Sequence, residues 1–218
     1  MNDDLQARLR SDGFVVVRDI ATREAFERVA GSFGESLTST VVELRTRGAT
    51  YLSRSDAIPF HTDHPNVDVI GWWCERQDEE DGASLLLDGR ALVESLDREA
   101  RIALEGVFLP CPALLELSTK SHDERCVVSS TDAGPSIYYA DWLRPRCFTT
   151  GAAAAWNLLR AGLSADGGKL RRDVRLGAGD AFFIDNRRML HGRGVLAPMS
   201  RRRLRRVWLR GQGHDPLP

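Results

Sequence analysis

The sequence predicts a β-rich, mixed α+β fold. Three observations carry this. Short apolar runs of strand length recur along the chain, helical periodicity is confined to the start and two later segments, and long polar excursions separate the strands. At 218 residues, 42% hydrophobic and 28% charged, the chain suits one domain with one core, and residues 1–218 are read as a single unit.

Leu5 and Leu9 stand one helical turn apart, so residues 3–10 read as a short helix that stops at Ser11-Asp12-Gly13. Phe14 to Val17 reads as a strand. Thr22 caps a second helix running to about Phe33, with Phe26, Val29 and Ala30 on one face. From Val41 to Ala57 the pattern weakens into loop and short strand carrying Arg45, Arg47 and Arg54. Val67–Cys74 and Ser84–Leu87 read as strands joined in a hairpin across the acidic turn QDEEDG. Ala91–Glu105 has helical periodicity. The stretch from about 110 to 150 is irregular and carries Tyr138, Tyr139, Trp142, Arg144 and Arg146, as a substrate lid or a surface insertion does. Ala152–Leu163 is a helix; Val174–Leu176, Ala181–Asp185 and Leu204–Arg210 are strands, separated by GAGD and by DNRRMLHGRG, read as a turn.

Thirty Lys and Arg against 31 Asp and Glu leave a net charge of −1, which offers a polyanion or an anionic membrane no global attraction. No apolar run approaches the roughly 20 residues that cross a bilayer. The opening MNDDLQARLR lacks the apolar core of a secretory signal, so a cytoplasmic location is expected. Cys74, Cys111, Cys126 and Cys147 contain no CxxC pair and read as reduced thiols, neither a zinc knuckle nor a disulfide framework.

Within PFHTDHP, strand alternation would aim His61 and Asp63 at one point. Two histidines and a carboxylate on one face hold iron and leave coordination positions open, and His191, after AFFIDN, is the candidate third ligand. His64 would point away, while His122 and His214 sit in polar surroundings. A chance His-x-Asp is common, so the weight rests on the string LGAGDAFFIDNRRMLHGRG and the basic strand SRRRLRRVWLR behind it. In that strand, alternation puts Arg202, Leu204, Arg206 and Trp208 on one face, where a planar guanidinium suits a bidentate carboxylate partner.

FHTDHP, DGASLLLDGRAL, GDAFFIDNRRMLHGR and RRLRRVWLR together resemble the taurine dioxygenase and clavaminate synthase-like superfamily of iron(II), 2-oxoglutarate-dependent oxygenases, over about residues 58–210. The resemblance implies a double-stranded β-helix, or jelly roll, with helices packed on one sheet. It implies His61, Asp63 and His191 as iron ligands and Arg206 on the distal carboxylate of 2-oxoglutarate. Arg202 would be a second arginine near that co-substrate, and Ser84 would stand where a threonine is usual. The implied reaction consumes O2 and 2-oxoglutarate, releases succinate and CO2, and hydroxylates or desaturates an unactivated C–H bond. Relatives that halogenate lack the carboxylate that Asp63 supplies.

Arg45, Arg47, Arg54, Tyr138, Tyr139, Trp142 and Arg144 are the candidate lid residues, and the positive charge of the arginines suits a carboxylated small molecule, so a free or carrier-bound amino-acid-like substrate of specialised metabolism is expected, with no nucleic-acid partner. The chain is short for the superfamily: the site is unusually open, or a bulky substrate or a partner chain, as in a homodimer, completes it. The rivals are a nucleic-acid demethylase of the same broad fold, which Arg201 to Arg206 suggest, and a cupin-like metalloprotein without 2-oxoglutarate.

Overall fold

A computed structural model describes residues 2–45, 51–78, 82–112, 124–147, 149–164 and 168–211. The first half forms α1 (Asn2–Asp12), β1 (Phe14–Val17), α2 (Arg23–Gly31), β2 (Glu35–Glu43), β3 (Ile58–His61), β4 (Val69–Arg76), β5 (Ser84–Asp88), α3 (Gly89–Ser95) and α4 (Arg98–Leu104). The second half forms β6 (Val107–Pro110), β7 (Glu124–Cys126), β8 (Val128–Thr131), β9 (Gly134–Ile137), β10 (Arg146–Cys147), α5 (Thr150–Ser164), β11 (Arg171–Val174), β12 (Ala181–Asp185), β13 (Met189–Arg193) and β14 (Arg203–Arg210). Arg47, His122, His214, the middle of the QDEEDG turn and residues 113–123 of the 110–150 stretch lie outside the described residues.

Alternation along the central strands sets the layers. A five-stranded sheet runs β1-β12-β4-β14-β2 and a four-stranded sheet β11-β5-β13-β3, with every pairing antiparallel. Ile70, Trp72 and Cys74 of β4, Phe182 and Ile184 of β12 and Leu204 of β14 meet Leu86, Val174 and Met189 of the smaller sheet in one core. The residues between them point outward. Val69, Ala181, Phe183, Val207 and Leu209 pack against Leu5 and Leu9 of α1 and Phe26 and Ala30 of α2. On the far side, Leu87 and Leu190 pack against α3, α4 and α5. Each fully buried side chain of this size contributes about 1.5–3 kcal/mol. Two facing antiparallel sheets are consistent with the expected jelly roll, but the helices divide between both outer faces instead of covering one sheet.

Several elements differ from the sequence reading. Strands β4 and β5 are not a hairpin. The two edges of β4 are taken by β12 and β14 and those of β5 by β11 and β13, so the connection between them crosses from one sheet to the other. Strand β2 was hidden because it is an edge: it pairs only with β14, and of its residues only Val42 is buried. The helix expected over Ala91–Glu105 is two, broken where Asp97 accepts from the Ala100 N–H at 2.7 Å and caps α4, a contact that contributes ~1 kcal/mol. Met189–Arg193, read as a turn, is the strand β13. Among the described residues no helix is long and apolar enough to cross a membrane.

Candidate active site

Strand β13 pairs with β3 so that His191 stands opposite His61, with a register shift before the next pair, Arg193 with Ile58. Both imidazoles turn inward, their ring centroids 4.1 Å apart. Asp63 lies beyond the end of β3, so hydrogen bonds, not strand alternation, aim it. The Thr62 N–H donates to the Tyr139 carbonyl at 2.7 Å, and the Asp63 N–H donates to Oδ1 of Asn186 at 2.8 Å. Asn186 in turn donates to the carbonyls of Val67 at 2.9 Å and His64 at 3.3 Å. Asp63 Oδ1 then stands 3.7 Å from Nε2 of both His61 and His191. The three donor atoms lie within 4.8 Å of one another, and all three residues are buried.

The surroundings set their protonation. A carbonyl only accepts, so the 2.9 Å contact of His61 Nδ1 with the Pro59 carbonyl puts the proton on Nδ1 and turns a lone pair at Nε2 toward Asp63. Burial lowers the His61 pKa and takes that of His191 well below the usual histidine value, so both rings are neutral at neutral pH. Burial alone would raise the Asp63 pKa. The Arg206 guanidinium, the two imidazoles and Trp208 outweigh it and hold the carboxyl below its ordinary value. Its Oδ2 accepts from Arg206 at 3.0 Å and from the Trp208 indole at 2.6 Å. Trp72, stacked on Phe182, sets its ring 5.0 Å from that of His191. Two neutral nitrogen donors and one ionised oxygen on one side of a buried space are the donor set of an open iron(II) site.

The inward row of β14 links two cavities at this cluster. A small one of about 40 Å³ is bounded by His61, His191, Ser84, Arg202, Leu204 and Arg206. There Arg202, just before β14, donates to Ser84 Oγ at 2.9 Å, and it forms no ion pair among the described residues. Burial and the neighbouring Arg193 charge lower its pKa to about 10. A larger cavity of about 250 Å³ borders His61, Asp63, Arg206 and Trp208 from the other side and is walled by Trp142 and Tyr138. Asp63 and Tyr138 also border a third, of about 240 Å³, that reaches Glu124 and Arg125 but neither histidine.

All six predicted site residues are therefore brought together. His64 points away, with Nε2 3.1 Å from the Cys111 sulfur. Of the suggested lid arginines, Arg45 pairs with Glu43 and Arg54 contributes its carbonyl to Arg193, and neither lines the cavities at the cluster. Tyr139 packs on Trp156 and bonds Asp141. Asn186, Trp208 and Trp72 were missed as site residues. Asn186 follows the FFID strand within the string around His191, and Trp208 lies on the face already assigned to Arg206. Those were the available signals.

The model of the taurine catabolism dioxygenase TauD, TfdA family matches residues 2–112, just over half of the chain. The chain belongs to that family. The part matched to the TauD/TfdA model carries His61, Asp63 and Ser84, whereas His191, Arg202 and Arg206 lie beyond it. No protein of curated function matches the sequence. Among solved structures, an asparagine oxygenase in complex with Fe(II), 3-hydroxyasparagine and succinate superposes with a TM-score of 0.75 at 19% identity, over 95% of this chain and 78% of that one. PvcB of Pseudomonas aeruginosa, an Fe, α-ketoglutarate-dependent oxygenase from an isonitrile synthetic pathway, gives 0.71 at 18%, over 96% and 80%. The non-heme iron oxygenase OrfP, with Fe, succinate and dihydroxy-L-arginine, gives 0.75 at 16%, over 95% and 80%. At these identities the likeness is one of fold, and it covers the second half of the chain as well as the first.

Proposed function

We propose that this chain is an iron(II)- and 2-oxoglutarate-dependent oxygenase that hydroxylates or desaturates a C–H bond of a small amino-acid-like substrate. The observation that carries this is the buried His61, Asp63 and His191 cluster, set beside a cavity lined by Arg202, which has no carboxylate partner among the described residues. Bound iron(II) would activate O2, the oxidant, with 2-oxoglutarate as the two-electron reductant that leaves as succinate and CO2. The protein's own residues bind and orient. His61 and His191 offer neutral nitrogen lone pairs, and Asp63 offers Oδ1 while Arg206 and Trp208 hold Oδ2.

Arg202 and Arg206 exchange the parts that the resemblance gave them. Arg206 is already bonded to Asp63. Arg202, with Ser84, is the one positioned for the distal carboxylate, because a buried guanidinium lacking an anion gains most from a charge-assisted bond. Part of the 110–150 stretch, from Tyr138 to Trp142, serves as the substrate-facing wall. The amino-acid class follows the asparagine and arginine products in the relatives' structures. The nucleic-acid alternative draws on an arginine run that is largely neutralised: Arg203 and Arg205 pair with Glu43 and Glu75.

Succinate formation from 2-oxoglutarate, measured with Fe(II) and O2 over an amino-acid panel, tests the reading. The expected result is iron-dependent succinate that Asp63→Ala abolishes. Normal turnover by that variant removes Asp63 from the site.

A further inference from the structure

The cavity of about 250 Å³ meets two of the three candidate ligands, His61 and Asp63, while the small cavity of about 40 Å³ meets His61 and His191. Most of the larger cavity's polar lining is already committed. Arg206 gives Nη1 to Asp63 and keeps its other N–H groups, so the remaining polar function on this wall is cationic. The Thr62 hydroxyl is taken up by the Tyr139 backbone, at 3.0 Å from its N–H and 3.3 Å from its carbonyl. His64 accepts from the Asn66 N–H through Nδ1 and contacts the Cys111 sulfur through Nε2, and the Tyr138 hydroxyl donates to the Pro110 carbonyl at 3.1 Å. The rest of the described wall is Pro112, Ala140, Trp142, Leu143 and Trp208. Trp142 leaves 49% of its surface exposed with its ring centroid 4.8 Å from that of His61. Its place is fixed from below, since Ala140 bridges to His61 and the Leu143 N–H donates to the Ala140 carbonyl.

We infer that the group presented to the iron is uncharged and apolar, an aromatic or large aliphatic side chain of an amino-acid-like substrate, covered by Trp142 and seated against Trp208. This rests on the oxygenase reading above and narrows its substrate class away from the polar side chains handled by the asparagine oxygenase and OrfP. A cationic side chain entering this cavity loses water, faces the Arg206 charge and finds no uncommitted acceptor among the described residues. An apolar one covers the exposed indole and removes its own surface from water.

The test uses the full-length protein with Mn(II), a redox-inert substitute for iron, and 2-oxoglutarate under anaerobic conditions. Calorimetry first measures 2-oxoglutarate binding, then that of L-phenylalanine, L-tryptophan, L-leucine, L-asparagine and L-arginine, each free and as a thioester surrogate of a carrier-bound form. The apolar members are expected to bind roughly tenfold or more tightly than asparagine and arginine, the factor that burying part of one such side chain supplies. Trp142→Ala is expected to lose about that factor for the apolar ligands, while 2-oxoglutarate affinity and melting temperature stay unchanged. Equal or tighter binding of asparagine or arginine, no binding by any member, or an unaltered Trp142→Ala affinity overturns the inference. Failure of 2-oxoglutarate itself to bind strikes the oxygenase reading instead.

Discussion

Asp63 is surrounded by groups that each use one of its atoms. Asn186 holds its N–H, Arg206 and Trp208 hold Oδ2, and Oδ1 is left toward the two imidazoles. Orientation of this kind by outer residues tunes how tightly a ligand set grips a metal. The two arginines differ in the same terms, one spent on Asp63 and the other on a neutral serine. A charge-assisted hydrogen bond contributes about 1.5–3 kcal/mol, so Arg202→Gln should raise the KM for 2-oxoglutarate about ten- to a hundred-fold with intact iron binding. Arg206→Gln should weaken iron binding as well, because it strips Asp63 of its counter-charge. Iron titration beside 2-oxoglutarate kinetics separates the two, and a larger KM effect from Arg206→Gln alone would restore the opposite assignment. His61, Asp63, His191, Arg202, Arg206 and Ser84 were legible as residue types in motifs. Their division of labour was not, because it depends on which atoms meet across 143 residues of chain between Asp63 and Arg206.

At the scale of elements, β13 shows how closely backbone packing supports the site. Gly192 sits between His191 and Arg193 against β3, and a Cβ there would stand 2.6 Å from the Ile58 carbonyl oxygen. Neither strand can move without displacing His61 or His191, which pair in register. Gly192→Ala should therefore cost about 1–3 kcal/mol of stability, the usual penalty of overpacking, and should loosen iron binding with it. Thermal melting and iron titration check this, and an unchanged melting temperature would show that β3 and β13 are not rigidly packed. Strands with strong apolar runs, such as β12, were readable to the residue. β2 was not, since an edge strand with a mostly solvated face has little hydrophobic pattern to read. The false hairpin of β4 and β5 has a related cause: proximity in sequence suggested pairing, while the choice of sheet depends on strands more than 80 residues further on.

Across the whole molecule, the two sheets are held apart by an apolar core at one end and separated by polar cavities at the other. Ile70, Leu86, Met189 and Ile184 fill the first, while His61, His191, Ser84, Arg202 and Arg206 line the second. The mixed, β-rich class was legible from the spacing of apolar runs. The placing of helices on both outer faces was not, because amphipathic helices show that a face is buried without showing against which sheet. Burying five polar or charged side chains between sheets is costly unless ligands complete their bonding, and iron with a dicarboxylate would complete it here. Anaerobic addition of 2-oxoglutarate to the Fe(II)-loaded protein tests this most directly. The account predicts a visible charge-transfer band that requires both components and is lost in Asp63→Ala; a protein that binds iron and 2-oxoglutarate without developing that band, or binds neither, would contradict it.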